Sequence, residues 1–248
     1  MYTVREEFWK KRAQCYEKLE WATKSGYLHS FLDAGDFSKH DVVLDIGTGS
    51  GIIAHTLSPQ VRHTIALDIS TSMLDLALKH RVRNEIFLRC DARNLPLMSG
   101  SVSRVTARMV FHHIIDGAQL AMKECFRVLS EGGRMVFSEG VPPSEHVKPF
   151  YTKMFKLKEE RITFMEDDLE ALMRKAGFRI AKKIIHWNKG SSIKNWLENS
   201  GLPQKTQDTI FRMHLDMDEQ GKKDYNMAIR DDDCFIDMKF LIYVGEKQ

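Results

Sequence analysis

The chain has 248 residues, 43% apolar and 29% charged, the balance of an ordinary globular protein long enough to bury a core without staples. A formal net charge of +3 gives no basic stripe for nucleic acid, and four scattered cysteines (Cys15, Cys90, Cys125, Cys234) form no C-x-x-C pair for a zinc site or disulfide framework. No apolar run reaches the ~18 residues of a membrane span, and the charged start MYTVREEFWKKRAQCYEKLE lacks the apolar stretch of a signal peptide, so a reduced, cytoplasmic protein is expected.

In chain order, Phe8, Trp9, Ala13, Tyr16, Leu19 and Trp21 fall at helical spacing within residues 5–34, which read as two helices broken near Ser25-Gly26. Val42 to Ile46 is a short buried strand. A glycine loop, Gly47-Thr48-Gly49-Ser50-Gly51, leads into a helix over 52–57 that Ser58-Pro59 stops. Residues 64–67 are a second strand ending at Asp68, and Ser70 or Thr71 caps the helix that follows. Strands are expected at 86–89, 102–109 and 134–138. A helix over 118–129 lies between the last two, ended by Gly132-Gly133.

Beyond residue 140 the rhythm changes. Residues 144–160 look helical, 166–176 form a helix that Gly177 terminates, and 178–187 form a strand. Residues 191–228 are polar and helical in pattern, Asp231-Asp232-Asp233 is a turn, and 235–244 is the final strand. Strands alternating with helices give an α/β, Rossmann-like, doubly wound sheet, with ligands at the carboxyl ends of the strands. A helical insert between the last two strands exceeds ordinary loop length and is expected to act as a lid.

The glycine loop carries the first chemical information. Gly-x-Gly-x-Gly after a buried strand turns tightly and exposes backbone N–H groups, and the alternative for the glycines alone is a plain strand-to-helix turn. Asp68 lies 21 positions after Gly47, where a carboxylate can take two ribose hydroxyls. Asp91 closes the third strand and can accept from an adenine amino group. Asp45, two residues before Gly47, would repel a pyrophosphate and suits an α-ammonium group. Together they favour an amino-acid-bearing nucleoside over a dinucleotide.

The stretches VVLDIGTGSGIIA (42–54), IALDISTSMLDLA (65–77), CDARNLPL (90–97), SVSRVTARMVFHHI (101–114) and AMKECFRVLSEGGRMVFSEG (121–140) resemble, in order, the class I S-adenosylmethionine-dependent methyltransferases. The likeness is to the small-molecule branch of ubiquinone and menaquinone biosynthesis type. It implies one methyltransferase domain over 1–248. N-terminal helices would occupy 1–40, the cofactor-binding core 41–140, and helical lid insertions 141–170 and 188–230. The sheet would be seven-stranded, mostly parallel, with an antiparallel last strand.

The resemblance further implies that S-adenosylmethionine binds here and leaves as S-adenosylhomocysteine. Asp45, Gly47, Thr48, Gly49 and Gly51 would surround its methionine end, with Arg108 and Met109 beneath. Asp68 and Ile69 would meet the ribose, Met73 the adenine, and Asp91, Ala92 and Arg93 the adenine edge. The opening W/F-x-x-x-A-x-x-Y pattern adds Tyr16 and Arg12.

The fourth strand ends ARMVFHH, without the N-P-P-Y or D-P-P-Y of amide methylation or the Pro-Cys of cytosine methylation. His113 and His112, just after that strand, are the candidate general bases, since imidazole titrates near neutrality. His146, Tyr151 and His186 stand as outside candidates, and Met109, Met154, Phe155 and Phe164 as acceptor-pocket lining. A small-molecule acceptor, no nucleic acid, no metal, and a monomer or homodimer complete the expectation. The alternatives are a non-methylating enzyme or binding module on the same fold, or an RNA or protein methyltransferase.

Overall fold

The computed structural model describes residues 2–13 and 26–248. Helix α1 (Tyr2–Ala13) is followed by α2 (Gly26–Ala34), then β1 (Val42–Ile46), α3 (Ile52–Leu57), β2 (His63–Asp68), α4 (Thr71–Leu78), β3 (Glu85–Arg89) and β4 (Val102–Arg108). Next come α5 (Ala118–Val128), β5 (Leu129–Val141), α6 (Lys148–Lys158), α7 (Glu166–Ala176) and β6 (Arg179–Ser192). The chain ends with α8 (Ile193–Glu198), α9 (Gln204–Leu215), α10 (Glu219–Asp224), β7 (Ala228–Arg230) and β8 (Asp233–Glu246). No described helix is long and apolar enough to cross a membrane.

The sheet order is β3-β2-β1-β4-β5-β8-β6, with β7 paired to β8 outside this path. The pairs among β1 to β5 are parallel, whereas β8 runs antiparallel to both β5 and β6. The expected sheet is therefore present, antiparallel last strand included, with one short strand added. Asp231 and Asp232 take φ of 51° and 59°, the left-handed pair that a two-residue hairpin turn needs, and this closes β7 onto β8.

Period-two alternation divides the core between the faces. Leu44, Ile46, Val105, Ala107, Met135, Phe137, Leu241 and Tyr243 pack on one side with α5 and α7. Val43, Val136, Phe240, Ile242 and Val244 pack on the other with Tyr27 and Phe31 of α2 and Ile53 and Leu57 of α3. Each fully buried side chain of this size contributes about 1.5–3 kcal/mol. A third apolar cluster joins Tyr151, Met154 and Phe155 of α6 to Ile193, Leu197, Ile210, Tyr225 and Ile236.

Several boundaries differ from the sequence expectation. Gly132-Gly133 does not end α5; the helix stops at Val128, and β5 begins at Leu129. The register against β4 jumps from Val102–Leu129 to Arg104–Arg134, so the two glycines lie in a bulge inside the strand. Strand β6 continues to Ser192, beyond the expected 187, because its pairing with β8 resumes after a register shift between Asn188 and Ser191 and runs to Ser192–Phe235. Within 141–170, Val141 still belongs to β5, and residues 166–170 open α7, whose Leu169, Leu172 and Met173 pack in the main core.

Strand order reverses between β1 and β4. Their carboxyl ends therefore diverge, and the crevice there is where such sheets take ligands. Gly47 leaves β1 at this point and Met109 leaves β4.

Candidate functional site

A cavity of about 480 Å³ opens at that crevice. One end is lined by Gly47, Gly49, Asp68, Ile69, Met73, Asp91, Ala92 and Arg93, and the middle by Arg108, Met109, Val110, His112 and His113. Its far end is lined by Tyr151, Met154, Phe155, Lys158, Glu159, Arg161, Trp196 and His214.

The glycine loop is built for close approach. Gly47, Gly49 and Gly51 all have left-handed φ, 63°, 57° and 84°. A Cβ on Gly47 would lie 2.2 Å from Val110 Cγ2, whereas one on Gly49 would meet nothing nearer than a carbonyl at 4.0 Å. Gly47 is therefore required by the protein's own packing, and Gly49 by backbone conformation.

Asp68 secures this loop. Its Oδ2 accepts from Gly49 N–H and its Oδ1 from Ser70 N–H, both at 2.9 Å, joining the loop to the end of β2. Burial pushes its pKa up, and these backbone donors oppose the shift. Ser70 caps α4 by accepting from Met73 N–H at 3.3 Å.

Asp45 is 2% exposed and accepts from Thr106 Oγ1 at 2.8 Å. Among the described residues its Oδ2 has no hydrogen-bond partner, and neither do the buried Thr48 and Ser50 hydroxyls. Burial raises the Asp45 pKa to about 6. These three atoms border a small polar recess shared with Gly47 and Arg108. Buried polar atoms left unsatisfied are costly, so this donor set fits a ligand bearing a hydrogen-bonding cation such as an α-ammonium group. Gly51 lines neither space and instead turns the chain into α3, while Ile69 and Met73 face the large cavity.

Asp91 differs from its sequence picture. Arg93 grips it in a bidentate pair, Nε to Oδ1 at 3.0 Å and Nη2 to Oδ2 at 2.6 Å. Arg93 also donates to Asp116 C=O, so it positions the carboxylate at the cavity rim.

Met109 has a φ of 59°, an uncommon conformation for a residue with Cβ that costs about 1–2 kcal/mol. Its N–H donates to Ser138 C=O, and its Sδ accepts from Gly140 N–H at 3.0 Å. This bend carries the chain after β4 into a turn holding both histidines. His112 is 1% exposed and its Nδ1 lies 2.5 Å from Glu139 Oε2. The other oxygen of Glu139 accepts from the N–H groups of Phe111 and His112. Burial lifts Glu139 to about 7, opposed by the nearby Arg161. His113 lies edge-on to Trp9 of α1, with ring centroids 4.7 Å apart.

His112, His113 and Glu159 bring ligand atoms within 4.8 Å of one another, close enough to share a cation. Lys158 at 2.8 Å and Arg161 at 3.6 Å already stand against Glu159, so a divalent ion would have to displace one of them.

Of the remaining candidates, Tyr151, Met109, Met154 and Phe155 line the cavity, but Phe164 is buried in the main core. His186 bonds Ser30, and His146 pairs with Asp218 on the exposed surface. Arg12 falls on α1, and Tyr16 lies outside the described residues. From α1 it is Glu6, Phe8 and Trp9 that line the cavity. Glu6 Oε1 accepts from Ser70 Oγ and from Ser72 N–H and Oγ, which seats α1 on the start of α4.

Sequence reasoning missed Glu6, Trp9, Glu139, Lys158, Glu159, Arg161 and His214. Signals existed for Trp9, which heads the W/F-x-x-x-A-x-x-Y pattern, and for Glu139, a carboxylate in the otherwise apolar strand end MVFSEGV.

Residues 44–137 match the family model described as a methyltransferase domain. A demethylmenaquinone methyltransferase of Thermotoga maritima is 36% identical over 46% of this chain and 48% of its own length. One from Deinococcus radiodurans is 32% identical over 55% of this chain and 67% of its own. The chain thus spans about half the length of the first relative and two thirds of the second. A solved structure from Bacillus halodurans C-125, described as that of a methyltransferase, superposes over 90% of this chain and all of that one. The TM-score is 0.81 at 18% identity, a likeness of fold.

Proposed function

For a chain that belongs to the class I S-adenosylmethionine-dependent methyltransferases, small-molecule branch, we propose methyl transfer to a small organic acceptor held at the far end of the cavity. The observation that carries this reading is the continuity of the cavity. It runs from the glycine loop and Asp68 past Met109 to His112 and the apolar wall of Tyr151 and Phe155.

S-adenosylmethionine, when bound, supplies a sulfonium-activated methyl group and leaves as S-adenosylhomocysteine. Asp45 and the glycine loop would hold its amino-acid end, Asp68 and Ile69 the ribose, and Met73 with Asp91, Ala92 and Arg93 the base. Thr48, whose hydroxyl has no partner among the described residues, and Arg108 would complete the amino-acid end.

The chain's own contribution to rate is alignment, since holding reacting groups in line removes much of the barrier. His112 is the better-supported base. With Nδ1–H donated to Glu139, its other nitrogen is the basic one, and the carboxylate stabilises the imidazolium that forms. His113, edge-on to Trp9, is read as shaping the same wall. Segments 144–158 and 193–224 are read as the cover over the acceptor. The reading is of a cytoplasmic monomer or homodimer acting on a small molecule. The small-molecule part is supported by the small net charge and by the relatives named as demethylmenaquinone methyltransferases.

Calorimetry with S-adenosylhomocysteine tests the cofactor half, and absence of binding at millimolar ligand would refute it. Incubation with methyl-labelled S-adenosylmethionine and a metabolite extract tests the transfer. A labelled small molecule is expected, and label found only in protein or RNA would overturn the acceptor class.

A further inference from the structure

The far wall of the cavity carries one nitrogen whose protonation is fixed from behind. His214 of α9 is 1% exposed, and it lines the cavity beside Ile193, Trp196 and Ile236. Its Nδ1 lies 2.8 Å from Ile210 C=O, one turn back on the same helix. A carbonyl oxygen only accepts, so Nδ1 carries the hydrogen. Burial holds the ring's pKa down at about 4, so the imidazole is neutral. Nε2 is therefore a bare lone pair, and α9 by itself sets this tautomer. Phe150 stands edge-on to the ring, with centroids 5.1 Å apart.

The bond to Ile210 is the ring's one hydrogen bond among the described residues. Nε2 has no partner there, yet it is not enclosed by protein, so it opens on the cavity that His214 lines.

The hydroxyl of Tyr225 is placed in the same way. This residue is 3% exposed and lines the cavity. Its hydroxyl makes no hydrogen bond among the described residues and is not enclosed by them. Burial pushes the phenol well above the ordinary tyrosine value, so it keeps its hydrogen. The backbone is held on both sides: Tyr225 N–H donates to Gly221 C=O at 3.1 Å, and Tyr225 C=O accepts from Asp237 N–H at 2.8 Å. The nearby Tyr151 hydroxyl is already engaged, donating to Gly140 C=O at 3.2 Å.

A bare lone pair in an apolar wall selects its ligand by sign. A carboxylate or phosphate would set lone pair against lone pair. An ammonium group would find the carboxylates of this region, Glu159 and Glu139, already engaged with Lys158, Arg161 and His112. A neutral donor fits, since covering Nε2 with an apolar surface would leave it unpaired, at about 1–3 kcal/mol. A hydroxyl fits better than an aromatic amine, because it gives one hydrogen and can also take one from Tyr225.

We propose that His214 Nε2 is the seat of a neutral hydroxyl on the methyl acceptor, which is therefore a phenol or alcohol with an apolar body. That hydroxyl marks the end of the acceptor turned away from the cofactor. His214 orients the molecule and takes no part in the transfer. The inference rests on the methyl-transfer reading only in assigning the hydroxyl to the acceptor.

The test titrates 4-ethylphenol, 1-ethyl-4-fluorobenzene, 4-ethylaniline and 4-ethylbenzoate onto the protein, with and without saturating S-adenosylhomocysteine. The wild type is expected to bind the phenol about tenfold more tightly than the fluoro compound, equivalent to about 1.4 kcal/mol. In H214F, which keeps a ring and loses the lone pair, the ratio should fall to one or below. H214Q, whose amide oxygen can accept in its place, should retain several-fold preference. Unchanged affinity for the fluoro compound reports that both variants fold. Equal binding of phenol and fluoro compound by the wild type, binding of neither, or a preference that survives in H214F would overturn the proposal. Tighter binding of the benzoate or the aniline than of the phenol would overturn the neutral hydroxyl. A protein that prefers the phenol yet binds no S-adenosylhomocysteine keeps the His214 seat and refutes the methyl-transfer reading. Cofactor binding without that preference does the reverse.

Discussion

His112 and Glu139 come from different strands' ends, 27 residues apart, and meet as a buried pair with Nδ1 and Oε2 2.5 Å apart. Glu139 also receives two backbone N–H groups from the turn that carries His112, so one carboxylate sets the position, tautomer and charge of the imidazole together. Removing one partner of such a buried pair while leaving the other typically costs about 3–5 kcal/mol.

Glu139→Gln keeps the shape and removes the charge. Turnover of the acceptor recovered from the metabolite screen should fall about 100-fold, the lower range for a lost general base. S-adenosylhomocysteine affinity should stay within about twofold, an energy below 0.5 kcal/mol. With Glu139 titrating at about 7, wild-type turnover should decline as pH falls through that value, and the variant should lose that limb. A pH–rate profile identical in both proteins would remove Glu139 from the reaction. His113→Ala should cost less than His112→Ala in the same assay.

Asp45 gives a stability prediction with a definite sign. Its folded pKa, about 6, exceeds the unfolded 3.8, so the folded chain keeps a proton that the unfolded chain releases. That stabilisation is complete below about pH 4 and is lost as pH rises through about 6. Asp45→Asn should flatten this part of the stability curve. Above pH ~7 the variant should melt no lower than wild type, while binding S-adenosylhomocysteine more weakly. Thermal melts across pH 4–8, with calorimetry at neutral pH, check both halves.

Asp68→Ala removes two backbone hydrogen bonds to the glycine loop as well as any ligand contact. Cofactor affinity should drop by about 1–3 kcal/mol, the scale of a lost charge-assisted pair. Hydrogen exchange at Gly49 and Ser70 should quicken in the absence of ligand. Unaltered exchange and affinity would contradict both roles.

Gly47 and Gly49 should respond differently to alanine. Both need left-handed backbone, at about 1–2 kcal/mol for a residue with Cβ. Gly47→Ala adds a 2.2 Å clash with Val110 and should lower the melting temperature more than Gly49→Ala. Equal melting temperatures in the two variants would argue against the Val110 contact.

The cofactor end of the site was legible in the chain because its determinants are local. A glycine that needs φ near 60°, and carboxylates that close β1, β2 and β3, are set by short-range backbone geometry and by strand alternation. The same locality made the sheet and its antiparallel last strand readable from 42–140 and the two late apolar strands. Bounds slipped where pairing overrode local signals, as at Gly132-Gly133, which a bulge absorbs within β5. The far end of the cavity was not legible. In sequence, Lys158, Glu159 and Arg161 form the charged run KLKEERITF, indistinguishable from a solvated face. Only the packing of α6 against α8 and α9, and the bond from Ile162 to His112, turn that run inward. Burial then places these charges in the cavity wall against one another, because a charge removed from water must find a partner.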